Sequence, residues 1–188
     1  ICGSDLHLKH ARLLPPGAVM GHEFGGSVVA VGDEVHDIEE GQRVAVLPAD
    51  RDRTCAACEA GKDHLCGLQF GTSIGLGMHD GGYAEACCVP EAFAYALPAV
   101  WRDAEAAPLL CAGIIGYRSL RISGIEPGGR LGLFGFGSSA HLAIQVARHW
   151  GCEVFVFARS DAERSLGLDL GAAWAGGYDD QPPELLDA

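Results

Sequence analysis

Three cysteines cluster in the middle of the chain at a spacing that suits a metal ion. Cys55, Cys58 and Cys66 give the pattern Cys-x2-Cys-x7-Cys. Zinc in structural sites takes four ligands, usually thiolates and imidazoles, and accepts a carboxylate among them. The alternative is a surface loop with three reduced cysteines, but clustering of this kind favours a metal site. We therefore expect structural zinc here.

The fourth ligand of this site has more than one candidate. Asp52 lies three residues before Cys55, which gives Asp-x2-Cys-x2-Cys-x7-Cys. A carboxylate can ligate zinc, so Asp52 is the expected ligand. Asp50, His64 and a water molecule are the alternatives.

A second group of reactive side chains opens the chain. The stretch Ile-Cys-Gly-Ser-Asp-Leu-His at residues 1–7 combines a thiol, a hydroxyl, a carboxylate and an imidazole, and Gly-His-Glu follows at residues 21–23. Catalytic zinc usually has three protein ligands and an open position for water or substrate. Cys2 and His22 suit two of those ligand positions. Since a lone Cys or His is more often structural, these residues alone leave both interpretations open.

The elements that must position these residues differ along the chain. Short β-branched runs at residues 28–31 and 43–47, and a strand-like run that ends at residue 89, predict a β domain. Residues 104–120 are rich in Ala and Leu and predict helices on either side of Gly113. We place the boundary between a mostly β domain and an α/β domain near Gly113.

The second domain begins with the pattern of a βαβ unit. Apolar strands are predicted at residues 131–134 and 154–157, and a helix between them starts at residue 138 and is ended by Gly151. Strand, Gly-rich turn, helix and strand in about 30 residues are typical of a nucleotide-binding fold.

The turn of this unit is the candidate cofactor loop. It reads Gly135-x-Gly137-x-x-Ala140, with Ala as an accepted variant of the third Gly. Its place between a strand and a helix lets backbone amides at the helix start meet a pyrophosphate. Ser138 and Ser139 either donate to phosphate or cap the helix.

The end of the second strand indicates which cofactor is preferred. Folds specific for NAD usually carry Asp or Glu there for the ribose 2′-hydroxyl. This chain has Ala158-Arg159-Ser160, and Asp161 comes three positions too late. Arg159 and Ser160 suit a 2′-phosphate, which favours NADP over NAD. If Arg159 is only a solvent-exposed charge, either cofactor is accepted.

Composition excludes several classes of partner. The net charge of the 188 residues is −12, which would repel nucleic acid. We find neither a signal peptide nor an apolar run of membrane-spanning length, and we expect a cytoplasmic protein with its eight cysteines reduced. The chain starts at Ile1, not Met, and ends soon after Pro182-Pro183, so we expect a fragment of a longer protein.

Five motifs in order resemble those of zinc-dependent alcohol dehydrogenases of the medium-chain dehydrogenase/reductase superfamily. They are Cys-Gly-Ser-Asp-Leu-His, Gly-His-Glu, the cysteine-bearing lobe at residues 50–66, Pro-Leu-Leu-Cys-Ala-Gly at residues 108–113 and the Gly-x-Gly turn. The resemblance implies a GroES-like β catalytic domain at residues 1–112, truncated at its N-terminus. An incomplete Rossmann NAD(P)-binding domain would follow at residues 113–188, truncated at its C-terminus.

The resemblance also implies roles for the reactive residues. Cys2, His22 and Cys111 would hold a catalytic zinc, which Glu23 can approach during ligand exchange. Asp5 would orient the His22 imidazole, and two further residues would form a proton relay. These are Ser4 and His7.

The implied activity is the reversible NAD(P)-linked oxidation of alcohols to aldehydes or ketones, by a full-length homodimer or homotetramer. Two departures from the family pattern stand out: Asp52 replaces the first of four lobe cysteines, and Ile115 stands where many relatives carry Thr against the nicotinamide. The alternatives are a zinc-free reductase similar to quinone reductases, and a zinc-stabilised homologue without catalytic activity.

Overall fold

The chain divides into two units, Ile1–Cys111 and Ala112–Ala188. The computed structural model describes residues 1–48, 51–67, 73–77 and 79–188. Among these residues, every helix is too short or too polar to span a bilayer.

The first unit is built around a small antiparallel sheet. Its strands are β1 (Gly25–Ser27), β2 (Arg43–Val46) and β3 (Ala94–Ala96), in the order β1-β2-β3. The central strand β2 pairs Ala45 with Gly25 on one side and with Tyr95 on the other. Residues 44–46 are buried, as the apolar run at residues 43–47 predicts.

Two strand predictions in this unit are wrong. Residues 28–31 follow β1 instead of forming a strand, and residues 81–89 contain no strand. Val29 is 77% exposed and Val31 is 41% exposed. Because strand propensity mostly reflects packing on a half-buried pleated surface, β-branched residues alone do not make a strand.

Short helices complete the first unit and carry most of its reactive residues. The α-helices are α1 (Gly3–Ala11), α2 (Ala56–Glu59) and α3 (Asp103–Ala106). The 3₁₀ turns are Asp63–Leu65, Glu91–Phe93 and Ala107–Leu110. The turn Ala107–Leu110 packs against β2, which sets the position of the following Cys111.

The second unit is a parallel three-stranded sheet with helices. Its elements in chain order are α4 (Ala112–Ser123), β4 (Arg130–Phe134), α5 (Ser138–His149), β5 (Glu153–Phe157), α6 (Asp161–Asp169) and β6 (Trp174–Gly176). The strand order is β4-β5-β6, with Leu131 opposite Val154 and Phe155 opposite Trp174. The predicted strand–helix–strand unit is confirmed, whereas Gly113 lies inside α4 and does not separate two helices.

The core of this unit lies between the sheet and its helices. Leu131, Val154 and Val156 of the sheet pack with Ile144 and Ala147 of α5. Helix α4 packs closely on α5 because Gly116 has no side chain: a Cβ there would lie 2.6 Å from the Ser139 carbonyl oxygen. This packing fixes the start of α5, where the Gly-rich turn ends.

Candidate functional site

A buried carboxylate and imidazole form the centre of the first candidate site. The Nδ1 atom of His22 lies 3.0 Å from Oδ1 of Asp5, and both side chains are almost fully buried. Burial would raise the pKa of Asp5, but hydrogen bonds from the Cys2 amide and from Tyr83, together with the nearby imidazole, hold it below its usual value. Asp5 therefore stays a carboxylate, which directs the Nε2 atom of His22 away from itself.

Helix α1 places Cys2 and Asp5 together. Cys2 is the N-cap of the helix and Asp5 lies in its first turn. The backbone amide of Cys2 donates to Oδ2 of Asp5 at 2.8 Å. A carboxylate in the first turn is favoured because the amides there have no partners inside the helix.

Four possible metal ligands converge at this point. One ligand atom from each of Cys2, His22, Glu23 and Cys111 lies within 4.8 Å of every other. The Nε2 atom of His22 is 3.4 Å from the Cys111 sulfur. We call these four residues the Cys2 cluster; the structure brings together all three ligands that the sequence predicts for catalytic zinc, with Glu23 beside them.

The electrostatics of the Cys2 cluster suit a cation. Burial and the neighbouring Cys2 and Glu23 raise the pKa of Cys111 to about 12. The Oε1 atom of Glu23 is buried and has no hydrogen-bond partner. Thiol, imidazole and carboxylate donors are those that Zn²⁺ takes in proteins, so the residues present fit zinc.

Tyr83 belongs to the site, although the sequence analysis did not single it out. Its hydroxyl donates to Oδ2 of Asp5 at 2.8 Å. Burial and the Asp5 carboxylate raise the pKa of Tyr83 to about 12, so it stays a donor at neutral pH. In the sequence, Tyr83 is marked only as an aromatic residue after two glycines, in a segment for which the pattern predicts a strand.

Glycines allow the segment that carries Tyr83 to pack against the segment before His22. The amides of Gly81 and Tyr83 donate to the carbonyls of Val19 and Met20, at 2.8 and 3.0 Å. Gly21 has φ +100, and a Cβ on it would lie 2.6 Å from the Tyr83 ring. Only glycine fits there.

The second candidate metal site lies in the lobe that follows β2. One ligand atom from each of Asp52, Cys55, Cys58 and Cys66 lies within 4.8 Å of every other. We call this set the Asp52 cluster. His64, an alternative fourth ligand, is not in it, and Asp50 lies outside the described residues.

Asp52 has a structural role in this lobe as well. Its Oδ1 atom accepts the amides of Thr54 and Cys55, each at 2.9 Å, in a turn typical of Asp before a helix. These bonds hold the pKa of Asp52 far below its usual value. Desolvation and the neighbouring Cys55 and Asp52 raise the pKa of Cys58 to about 12. The donor set fits zinc.

The remaining predicted residues of the first unit lie on the surface. Ser4 and His7 are both exposed and three positions apart on α1, a separation that places them on one side of a helix. In the second unit, Ile115 is exposed on α4.

The Gly-rich loop has the backbone of an anion-binding turn. Gly135 has φ +89, which favours glycine, and its amide donates to the Phe157 carbonyl at 2.7 Å. Gly137 is the N-cap of α5 and has no side chain to satisfy the first amides of that helix. The amides of Ser138, Ser139 and Ala140 come first in the helix, where an anion can accept them.

An exposed arginine follows β5 at the position where NAD-specific folds usually carry Asp or Glu. Arg159 is exposed just beyond the strand. The Ser160 hydroxyl caps α6: it donates to Glu163 at 2.9 Å and accepts the Glu163 amide at 3.2 Å. The Asp161 carboxylate is paired with Arg164. Arg159 is therefore exposed to a ligand, with Glu163 nearby, whereas Ser160 already has a capping role.

Comparison with known proteins places these features in context. The model of the family described as alcohol dehydrogenase GroES-like domain matches residues 1–99. The chain is 44% identical to a Mycobacterium tuberculosis protein described as probable alcohol dehydrogenase AdhA, over all of this chain and 56% of that protein.

Solved structures of similar proteins show the same fold. A zinc-binding dehydrogenase of Sinorhizobium meliloti bound to NADP gives a TM-score of 0.84 at 32% identity, over 94% of this chain and 51% of that one. Acetophenone reductase of Geotrichum candidum in complex with NAD gives 0.84 at 29% identity, over 98% and 55%. The chain thus spans about half the length of its relatives.

Proposed function

Because the chain belongs to the family defined by the alcohol dehydrogenase GroES-like domain, we propose that it is the zinc-binding part of an NAD(P)-dependent alcohol dehydrogenase. The reaction is the reversible oxidation of an alcohol to an aldehyde or ketone. Family membership confirms the resemblance and the fold class expected from the sequence, a GroES-like β domain followed by a Rossmann-type unit.

The Cys2 cluster is the observation that carries this proposal. Cys2, His22 and Cys111 would hold the catalytic zinc, and Glu23 would be available as a further ligand during ligand exchange. In support, Asp5 holds Nδ1 of His22 at 3.0 Å while Nε2 faces the Cys111 sulfur at 3.4 Å. An imidazole whose second nitrogen is fixed by a carboxylate is the usual arrangement of a zinc-ligating histidine.

The chain's own residues prepare the site for proton removal. Bound zinc would supply Lewis acidity that makes the alcohol hydroxyl more acidic, and a bound nicotinamide would supply the hydride acceptor. Ser4 would accept the alcohol proton while its own hydroxyl proton passes on toward His7, and His7 would release a proton to solvent. The exposure of both residues on α1, beside Cys2, supports this role.

The Asp52 cluster holds a structural zinc in this proposal. Asp52, Cys55, Cys58 and Cys66 are its ligands, supported by the convergence of their donor atoms. Asp52 also holds the lobe through the amides of Thr54 and Cys55.

The second unit binds the cofactor through its Gly-rich loop. Gly135, Gly137 and the first amides of α5 would bind the pyrophosphate, and Arg159 would bind the 2′-phosphate of NADP. Ala158-Arg159-Ser160 at the end of β5, where NAD-specific folds usually carry Asp or Glu, supports a preference for NADP over NAD. Ser160 is the second proposed contact of the 2′-phosphate, which would replace Glu163 as the acceptor of its hydroxyl and its amide, now bonded at 2.9 and 3.2 Å.

The domain boundary and the setting of the full-length enzyme complete the proposal. Residues 1–112 are the catalytic domain and residues 113–188 belong to the nucleotide-binding domain. The substrate is a small alcohol or aldehyde, and the enzyme is a homodimer or homotetramer. The convergence of Cys55, Cys58 and Cys66 as possible metal ligands suits a reducing compartment such as the cytoplasm.

Metal content separates this proposal from its alternatives. We expect about two zinc ions per chain in the full-length protein, and Cys2→Ser should remove one together with alcohol oxidation. Retained oxidation without any zinc would identify a zinc-free reductase and contradict the proposal. Two zinc ions with no oxidation of any alcohol would identify a non-catalytic homologue.

A further inference from the structure

We propose that Tyr83 is a positioning residue for zinc: through Asp5, its hydroxyl fixes the orientation of two ligands of the Cys2 cluster. This inference rests on the proposed function, because it requires that the cluster binds zinc. Tyr83 is neither a ligand nor a part of the proton relay, and it acts only through the Asp5 carboxylate.

The hydrogen bonds of Asp5 show how this works. Oδ1 holds the Nδ1 atom of His22, and Oδ2 accepts both the Cys2 amide and the Tyr83 hydroxyl, each at 2.8 Å. Two of the three partners therefore belong to zinc ligands. Tyr83 is the third partner, and its hydroxyl shares the Oδ2 atom with the Cys2 amide.

A buried carboxylate with fewer donors would be free to rotate. Asp5 is only 4% exposed, so water cannot replace the Tyr83 hydroxyl without a change in packing. If Oδ2 were held by the Cys2 amide alone, the plane of the carboxylate would be less restricted, and with it the ring of His22. Outer partners of zinc ligands affect metal affinity in this way.

The Tyr83 hydroxyl is itself held in place by the backbone. Its ring packs on Gly21, the residue directly before His22, and residues 81–83 pair with residues 19–21. Backbone hydrogen bonds therefore tie the segment of Tyr83 to the residues directly before His22. The hydroxyl can be deleted by Tyr83→Phe, which keeps the ring and its contact with Gly21.

Zinc affinity of the full-length protein tests this inference. The zinc of the Cys2 cluster is the fraction that Cys2→Ser removes, and its affinity can be measured by competition with a chromophoric chelator. We expect Tyr83→Phe to weaken this zinc by about tenfold to 100-fold and to leave the zinc of the Asp52 cluster unchanged. Tyr95→Phe, which deletes a hydroxyl from β3, is the matched control and should have no effect.

A double-mutant cycle tests whether Tyr83 acts through Asp5. In an Asp5→Ala background, Tyr83→Phe should change zinc affinity by less than about threefold. An equal loss from both clusters, together with a lower melting temperature of the metal-free protein, would show a merely structural role and overturn the inference. So would unchanged zinc affinity in Tyr83→Phe.

The failure of the proposed function looks different. If the wild-type protein has no zinc that Cys2→Ser removes, the Cys2 cluster is not a zinc site and both proposals fall. If such zinc is present and Tyr83→Phe retains it, only the role of Tyr83 is wrong.

Discussion

The Nδ1 atom of His22 lies 3.0 Å from the Oδ1 atom of Asp5, and the two side chains are 0% and 5% exposed. Seventeen positions separate them in the chain. A buried carboxylate is costly without partners, and the His22 imidazole is one of the partners that offset this cost for Asp5.

Asp5→Asn is expected to weaken zinc binding at the Cys2 cluster by about 10- to 100-fold. An amide can present its NH₂ group to Nδ1 of His22, which would favour the wrong tautomer for binding through Nε2. Chelator competition on the full-length protein measures the effect. Asp33→Asn changes an exposed carboxylate of the same unit and should leave affinity unchanged. Equal affinity in both variants would contradict the orienting role.

Asp52→Ala should reduce the zinc content from about two ions per chain to one. The variant loses a ligand and the acceptor for the amides of Thr54 and Cys55. Asp52→Cys keeps four donors and should bind zinc more tightly than the wild type, because thiolate is the softer ligand. Elemental analysis and chelator competition give both results. Unchanged zinc content in Asp52→Ala would show that Asp52 is only a turn residue.

Alkaline pH should destabilise the metal-free protein through Cys111. Its pKa is raised from 9.0 to about 12 in the folded state, so above pH 9 the unfolded chain releases a proton that the folded chain retains. The resulting stability is present below pH 9 and is lost as the pH rises toward 12.

The comparison with Cys111→Ser isolates this effect from that of Cys58. We expect the difference in melting temperature between wild type and Cys111→Ser to be constant from pH 7 to 8 and to shift against the wild type above pH 9. A constant difference across the whole range would show that Cys111 titrates alike in both states.

Gly21→Ala should lower the free energy of unfolding by about 1–3 kcal/mol. The new Cβ would be placed 2.6 Å from the Tyr83 ring at φ +100. Gly26→Ala is the matched control, because a Cβ there has open space, and it should change stability by less than about 0.5 kcal/mol. Urea denaturation measures the free energy of unfolding of both variants. A similar small loss in both would mean that the Tyr83 ring moves aside easily.

Arg159→Ala should weaken NADP(H) binding by about tenfold or more and leave NAD(H) binding nearly unchanged. The reason is the loss of a charge-assisted hydrogen bond to the 2′-phosphate. Fluorescence titration with each cofactor measures it. Arg121→Ala removes an exposed charge from α4 and controls for net charge. If both cofactors lose affinity equally, Arg159 does not discriminate between them.

The sequence predicted elements well where an apolar face is buried. Helix α5 and strand β5 carry apolar side chains that form the core of the second unit, so their periodicity is visible in the sequence. Helix α1 was not predicted because Asp5 is its only buried residue. A helix without a buried apolar face leaves no such pattern.

The convergence of Cys2, His22 and Cys111 could be predicted from the sequence, but the hydrogen bonds around them could not. Cys2, His22 and Cys111 were identified through ordered motifs in a family pattern. Tyr83 and Asp5 are 78 positions apart in the chain, and nothing in the local sequence indicates which acceptor a tyrosine hydroxyl will bond to. Its position is set by backbone pairing with residues 19–21, which only the folded chain reveals.

Glycines from three segments lie close together next to His22, and this restricts which substitutions the chain can accept at these positions. A Cβ on Gly75 or Gly81 would lie 2.2 or 2.3 Å from the carbonyl oxygen of Gly21. The obstructing atom is backbone, and Gly21 is already the smallest residue. No substitution at Gly21 can therefore make room for a larger side chain at Gly75 or Gly81. A side chain at either position requires the backbone of these segments to take a different path.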